Sequence, residues 1–206
     1  MKRSFTLALF AICLAIPAFA KGPELSSGFY LGPQFVYESS EESLLKTETR
    51  HTRFAFGGFL DARYALLTVG YTVFDGTLNT TTTASFVSLN TNTDFYANNL
   101  ELGLAAKYPF ALKRGLEAWP LFGLVFSINT GMSGKDALDE EAQNDLNDLW
   151  LRVGAGLDWT IGKGFYLRLQ ADSLFNLTAR PPDAPDSWSY MDLIVNTGLA
   201  LGYRFQ

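Results

Sequence analysis

The sequence predicts an all-β protein, an eight-stranded antiparallel up-and-down transmembrane β-barrel, on three observations. Eight segments alternate bulky apolar residues with small or polar ones, which is the period-two pattern of a strand with two different faces. The connections between these segments are alternately long and short. The C-terminal segment shows the pattern most clearly, with Gly198, Ala200, Gly202 and Arg204 between the bulky residues Leu199, Leu201, Tyr203 and Phe205.

The first twenty residues have the features of a secretory signal peptide. Lys2 and Arg3 are basic, an apolar run covers residues 5–16, and an Ala-x-Ala site ends at Ala20. The run is too short for a membrane-spanning helix. We therefore expect a signal peptide over residues 1–20, export of the chain, and one barrel domain over residues 21–206.

Composition narrows the class of protein further. The single cysteine, Cys13, lies in the signal peptide, so the exported chain needs no disulfide framework. Loss of Lys2 and Arg3 leaves 14 basic against 21 acidic residues, a formal charge of −7. An acidic protein is a poor partner for nucleic acid, and we expect none.

The expected strands cover about residues 27–38, 52–62, 67–73, 95–108, 118–129, 149–161, 165–172 and 188–205. Long polar connections follow strands one, three, five and seven, whereas short ones such as Gly162-Lys163-Gly164 follow strands two, four and six. Outer-membrane barrels have short periplasmic turns and long external loops, with both termini on the periplasmic side. The predicted external loops are 39–51, 77–94, 129–148 and 178–188.

Each strand is identified by its row of bulky residues. Both rows of strand five contain bulky apolar residues, so alternation alone does not fix its register. In chain order the first seven rows are Phe29, Leu31, Phe35, Tyr37; Phe54, Phe56, Leu60; Leu67, Val69, Tyr71, Val73; Leu100, Leu102, Leu104; Pro120, Phe122, Leu124, Phe126; Leu149, Leu151, Val153, Ala155, Leu157, Trp159, Ile161; and Phe165, Leu167, Leu169, Ala171.

Size predicts which row faces inward. The interior of an eight-stranded barrel is barely wide enough for its own side chains, so eight rows of Leu, Phe, Trp and Tyr would overfill it. A row of small and polar residues fits, which leaves the bulky row facing lipid. A soluble carrier barrel with an apolar interior is the less favoured alternative.

The predicted inner row carries ten charged residues. Charges in a narrow lumen are costly unless they are paired and hydrogen-bonded, so we expect an internal ion-pair network that plugs the barrel. A gated pore in which such pairs exchange partners is the alternative. The residues of the expected network are Glu38, Arg53, Asp61, Glu101, Lys107, Arg152, Asp158, Arg168, Asp172 and Arg204.

Other candidate sites are weaker. The acidic segment 135–148 departs from an EF-hand loop at Glu141 and Asn147, so we expect a solvated acidic surface, with a short amphipathic helix over 138–149 as one form, and no metal site.

His51 is the only histidine, and its pairing with Ser85 or Ser88 is formally conceivable. We predict a surface histidine, no catalytic residue, no enzyme activity and no cofactor. The Thr-rich segment 79–89 is either a flexible loop or an extension of its hairpin.

The terminal segment Gly198-x-x-x-Gly202-Tyr203-x-Phe205, the signal peptide and the eight alternating segments resemble the small eight-stranded outer-membrane barrels, the OmpA transmembrane domain, OmpX and OmpW group. Gln206 follows the final aromatic residue, which is usually last in such barrels. The resemblance implies the outer membrane of a diderm bacterium, contact with its lipid, and an assembly signal at Gly198, Tyr203 and Phe205. That signal implies contact with the barrel assembly machinery and periplasmic chaperones.

Two function classes remain from the sequence. The first is a structural or interaction protein of adhesin or envelope type, with a plugged lumen and external loops that contact host or envelope partners. The second is a narrow pore or transporter, for small hydrophobic molecules as the OmpW resemblance implies. A lumen crossed by ion pairs would favour the first class, and an apolar pocket with a lateral opening would favour the second.

Overall fold

A computed structural model describes residues 24–42, 45–84, 87–133, 147–178 and 188–205. The predicted signal peptide and its cleavage site lie outside these residues. Within them, no helix is long and apolar enough to cross a membrane. The described strands are β1 (Leu25–Glu42), β2 (Leu45–Ala62), β3 (Ala65–Ala84), β4 (Val87–Lys107), β5 (Phe110–Lys113), β6 (Leu116–Met132), β7 (Asp148–Gly162), β8 (Phe165–Asn176) and β9 (Trp188–Arg204).

Eight of these strands close into a ring, which confirms the predicted fold. Each long strand pairs antiparallel with its neighbours in chain order. β4 pairs directly with β6, because the short β5 between them in the chain does not take a place in the ring. Strand β9 closes the ring against β1, with Ser27 opposite Tyr203 and Phe35 opposite Val195. The four-residue β5 pairs only with β6, in a segment where the sequence predicted a turn.

The bulky row faces outward on every long strand, as predicted. Phe29 is 79% exposed and Phe122 and Trp159 are both 60% exposed, so the outer surface is apolar. The register of β6 follows the same rule, because Trp119 and Leu121 are buried while Phe122 points out. An apolar outer band on a closed barrel is the surface that lipid requires.

One end of the barrel carries the short connections and an aromatic girdle. Residues 63–64, 108–109, 114–115 and 163–164 make the turns. Tyr203 packs edge-on against Phe165 with ring centroids 4.9 Å apart, and Tyr108 lies 5.5 Å from Phe110. This end corresponds to the periplasmic side, where aromatic rings mark the boundary of the bilayer.

The opposite end differs from the sequence prediction. Residues 39–42, 45–51 and 77–84 were expected in loops, but β1, β2 and β3 continue through them. The Thr-rich segment extends the β3–β4 hairpin, with Thr82 paired to Leu89. Threonine favours strands, and continued pairing satisfies the backbone, so polar composition alone did not end these strands. The segments 134–146 and 179–187, including most of the acidic segment 135–148 and of its expected helix, lie outside the described residues, whereas Asp148 and Leu149 lie in β7.

The interior is more aromatic than the sequence predicted. Two buried clusters fill it, one around Phe59, Trp119 and Tyr166 and the other around Trp150 and Leu174. Inner glycines provide the room for these rings: a methyl group at position 156 would strike the Trp119 ring, and one at position 202 would strike Tyr166. Glycine and aromatic residues on neighbouring strands therefore pack together inside the barrel.

Candidate functional site: the charged lumen and the external sheet

Four charged side chains meet in the periplasmic half of the lumen and form what we call the lower quartet: Asp61, Lys107, Asp158 and Arg168. Arg168 donates from Nε and Nη2 to the two oxygens of Asp158 at 2.7 and 2.8 Å, and also pairs with Asp61. Lys107 Nζ lies 2.5 Å from Asp61 and 3.9 Å from Asp158. No side chain of the quartet is more than 4% exposed. Two cations and two carboxylates therefore balance each other out of contact with bulk water.

Aromatic rings surround the quartet. The guanidinium carbon of Arg168 lies 4.6 Å from the ring centroid of Phe59, 4.8 Å from Trp119 and 5.3 Å from Tyr166. Ring faces attract cations, and they also exclude water from the ion pairs. Tyr166 is held in turn by a 3.0 Å hydrogen bond between its hydroxyl and that of Ser26.

A second group of charges lies nearer the external end. Arg152 Nη2 donates to Asp172 Oδ2 at 3.0 Å. Asn196 Nδ2 donates to Asp172 Oδ1 at 2.7 Å and Gln170 Nε2 donates to Asp172 Oδ2 at 2.5 Å. Asp172 thus has three donors of which two are neutral, whereas the lower-quartet carboxylates rely mainly on cations.

One more pair lies beside it. Arg53 Nη2 donates to Glu101 Oε1 at 3.0 Å, and Gln34 bridges both members, accepting from Arg53 Nε at 2.5 Å and donating to Glu101 Oε2 at 3.3 Å. Gln34 was not predicted to take part. Its position on the inner row, directly opposite Arg53 on β2, is the signal that could have identified it.

The remaining predicted charges lie at the two ends. Arg204 pairs with Glu117 at 2.5 Å on the periplasmic rim, and Glu117 was missed because the strand was expected to begin at residue 118, whereas β6 begins at Leu116. Glu38 lies at the external end opposite Asp192 and makes no ion pair within the described residues. The structure therefore brings nine of the ten residues into ion pairs and leaves Glu38 outside them.

Small cavities flank the lower quartet. Cavities of about 40 and 30 Å³ lie on its external side, lined by Tyr30, Thr68 and Arg152, and one of about 20 Å³ lies on its periplasmic side against Asp61 and Lys107. One water occupies about 10–15 Å³ on this measure, so each cavity holds a few waters at most. The quartet separates these cavities from each other.

Above the apolar band, parts of β9, β1, β2, β3 and β4 continue as one curved sheet, here named the external sheet (188–192, 38–42, 45–50, 77–84 and 87–96). Threonines form rows across it: Thr49 is opposite Thr80, which is opposite Thr91. The hydroxyls of Thr49 and Thr80 are 3.1 Å apart. Val87 and Leu89 are 70% and 65% exposed at its tip.

The wall is interrupted where the external sheet begins. Arg50 is opposite Asn79 and Phe54 is opposite Val73. Between these two pairs, three residues of β2 lie opposite five residues of β3, so the pairing is irregular here. A depression of about 690 Å³ lies on the outer wall here. It is lined by apolar residues of β1 and β9 and by polar residues of β2 and β3.

His51 lies at this interruption and not on the surface as predicted. Its half-buried ring packs on Phe74 with centroids 4.6 Å apart. Strand β2 continues through position 51 and turns the side chain inward, which the loop assignment did not foresee. Ser88 lies at the tip of the external sheet, and Ser85 lies outside the described residues. Within the described part of the chain, no group of three or more His, Cys, Asp and Glu side chains could hold a metal ion.

The residues of the predicted assembly signal lie on the closing strand. Tyr203 and Phe205 face outward with ring centroids 5.6 Å apart, and Gly198 faces the lumen. The Phe205 amide donates to the Leu25 carbonyl at 2.8 Å, which ties the last described residue to β1. The two aromatic rings are therefore accessible from the lipid side.

Comparison of the sequence with protein-family models gave no match, and comparison with curated proteins gave none either. Solved structures do match. The outer membrane protease OmpT from Escherichia coli is 8% identical, with a TM-score of 0.53 over 89% of this chain and 98% of that one. Neisserial surface protein A is 13% identical, with a TM-score of 0.45 over 87% and 99%. OprG from Pseudomonas aeruginosa is 10% identical, with a TM-score of 0.47 over 89% and 98%.

At these identities the similarity is one of fold. The closed ring of eight long strands, the apolar outer band and the aromatic girdle agree with it. The chain has the fold of an eight-stranded outer-membrane β-barrel.

Proposed function

We propose that the protein is a surface-exposed interaction protein whose lumen is plugged by ion pairs. The observation that carries the proposal is the lower quartet, which fills the periplasmic half of the lumen together with the rings of Phe59, Trp119 and Tyr166. With the lumen filled, the part of the molecule available to partners is the external sheet. We assign no catalytic residue and no cofactor.

The plug is tested by conductance of the refolded barrel in planar bilayers. Buried, mutually balanced charges leave no continuous water path, so we expect no stable large conductance. A stable large conductance would overturn the plug. Asp61→Asn with Lys107→Met, which keeps the net charge, serves as a control for leakage caused by a perturbed lumen.

The interaction role is tested by shortening the external sheet. Leu78 is directly opposite Thr93, so an Asn-Gly turn can replace residues 79–92 without touching the membrane band. Cells that display the shortened protein should lose adhesion to epithelial cells or to each other, while the barrel keeps its heat-modifiable mobility. Unchanged adhesion in both assays would contradict the interaction role.

A partner in assembly is proposed from the closing strand. We propose that the barrel assembly machinery, supplied by periplasmic chaperones, recognises the outward rings of Tyr203 and Phe205. Phe205→Ser should reduce the surface level of the protein in cells, whereas Phe29→Ser, a matched change on the lipid face of β1, should reduce it less. Equal surface levels for Phe205→Ser and the wild type would exclude this role.

A second function is favoured by a separate observation, the depression beside the interrupted β2–β3 pairing. A depression in the outer wall that is lined on one side by apolar residues of β1 and β9 suits a transporter that passes small hydrophobic molecules sideways into the lipid. Uptake of a fluorescent hydrophobic probe into liposomes would be faster with the protein than without it. Filling the depression by Gly76→Trp should abolish the difference, and an unaffected rate would reject this function.

A further inference from the structure

Among the residues that the structure describes, one edge of the external sheet has no paired strand. Tyr96 exchanges hydrogen bonds with Ser133, its amide donating to Ser133 Oγ and its carbonyl accepting from the Ser133 amide, so its backbone points away from β3. Alternate residues of a strand point their backbone groups the same way. The N–H and C=O groups of Ser88, Asn90, Asn92 and Asp94 therefore point to a side of β4 that has no paired strand within the described residues.

This edge lacks the features that normally prevent strands from pairing. Natural edge strands are blunted by lysine, proline or a bulge. Residues 87–93 contain no charged residue, proline or glycine, and the register with β3 is continuous. At its tip, Val87 and Leu89 expose aliphatic side chains above the lipid band. An exposed and regular strand edge with two aliphatic side chains at its tip is a template for strand addition.

We infer that the edge pairs with the same edge of a second copy, an inference that rests on the interaction role proposed above. Antiparallel pairing of residues 88, 90, 92 and 94 with residues 94, 92, 90 and 88 of the copy uses the whole edge. The facing pairs are then Val87 with Phe95, Leu89 with Thr93, Thr91 with Thr91, Ser88 with Asp94, and Asn90 with Asn92.

These pairs are compatible with one another. Aromatic with β-branched, and threonine with threonine, are favourable cross-strand neighbours, and no like charges face each other. Asp94, the only charge in residues 87–96, falls beside a serine hydroxyl. The contact is isologous, since one two-fold axis at Thr91 relates the copies.

The geometry also says where the second copy is anchored. Strand β4 runs from the external tip towards the membrane. Two copies in one membrane have β4 running the same way, whereas the antiparallel pair requires opposite directions. The inferred partner is therefore a copy in a facing membrane, and the contact joins two membranes.

Thr91 provides a sharp test because it faces itself across the axis. Wild-type protein in phosphatidylcholine vesicles should cluster them, measured by light scattering. Vesicles that contain only the Thr91→Lys variant, or only the Thr91→Glu variant, should not cluster, because like charges would face each other at position 91. A mixture of the two should cluster again. The inference would be overturned if vesicles with the wild-type protein did not cluster, or if the mixture clustered no more than its two components do alone.

A backbone variant tests the edge separately. Asn90→Pro removes an edge N–H but no β3–β4 hydrogen bond, and Asn90→Ala is the matched control because both lose the 2.9 Å bond from Thr81. We expect loss of clustering with proline only. Equal clustering by both would exclude edge pairing. If clustering fails while adhesion to epithelial cells still depends on residues 79–92, this inference is wrong and the proposed function stands.

Discussion

The same kinds of charged side chain occur in two regions with opposite consequences. In the lower quartet, Arg168 is 2% exposed and Asp158 is 3% exposed. On the external sheet, Lys46, Glu48 and Arg50 pair at 2.5 and 3.1 Å, with Arg50 70% exposed. The distances within the ion pairs of the two regions barely differ, but only the external pairs are exposed to water. Breaking a buried pair leaves a charge that nothing solvates, whereas a released surface charge returns to water.

The largest effect is expected from Arg168→Met. Within the described part of the chain, the substitution leaves Asp61 and Asp158 with Lys107 as their only cation. Losing one partner of a buried pair costs about 3–5 kcal/mol, and we expect that loss in the free energy of unfolding. Urea titration in lipid vesicles, followed by tryptophan fluorescence, measures it.

A compensating variant checks the cause. Adding Asp158→Asn to Arg168→Met restores one cation to one carboxylate, so the double variant should recover much of the loss. A double variant as unstable as Arg168→Met would show that packing against the rings, and not charge balance, accounts for the effect.

Arg152→Met should cost less than Arg168→Met. Asp172 keeps the donors of Asn196 and Gln170, so it stays hydrogen-bonded after Arg152 is removed. We expect a loss of about 1–3 kcal/mol, typical of removing one partner from a hydrogen bond to a charged group. The same urea titration compares the two variants. A loss equal to that of Arg168→Met would mean that the two halves of the lumen are energetically alike.

Tyr166→Phe should have a smaller effect still. It removes one hydrogen bond, the 3.0 Å contact with Ser26, and keeps the ring against Arg168. A single neutral hydrogen bond contributes about 0.5–1.5 kcal/mol. Ser26→Ala should give a similar loss in the urea titration. Unequal losses from the two variants would show that Tyr166 stabilises the quartet by more than this bond.

The sequence predicted those features of the fold that depend on the alternation of residues along each strand. Strands, faces and the inner charges follow from alternation, and Asp158 opposite Arg168 follows once the β7–β8 turn is placed. The contact of Arg168 with Asp61 does not, because these residues are on β8 and β2 and meet across the lumen. Such contacts depend on the shear of the closed barrel, which local patterns do not contain.

Two other differences have physical reasons as well. Strand ends were placed where polarity began, but a strand above the membrane can be polar on both faces, as Thr80 and Thr81 are on β3. Aromatic residues in the lumen were underestimated because several of them pack against a glycine on a neighbouring strand. Trp119 with Gly156 is such a pair, and recognising it required the register of β6 with β7.

The smallest effect is expected on the external sheet. Glu48→Gln removes the carboxylate between Lys46 and Arg50, yet all three side chains reach water, so the unfolding midpoint should not change measurably. The hydrogen bond from Lys46 holds the pKa of Glu48 below its usual value. A depressed pKa stabilises the fold above the unfolded pKa, and that contribution disappears as pH falls through the folded pKa.

For Glu48 this contribution is screened by water and salt, so wild type and Glu48→Gln should show the same unfolding midpoint at neutral pH and in acid. Urea titrations at both pH values, each at low and high salt, make the comparison. If Glu48→Gln lowered the unfolding midpoint at neutral pH by as much as Tyr166→Phe does, the external charges would form a network that stabilises the fold measurably. The contrast between the two regions would then rest on something other than burial.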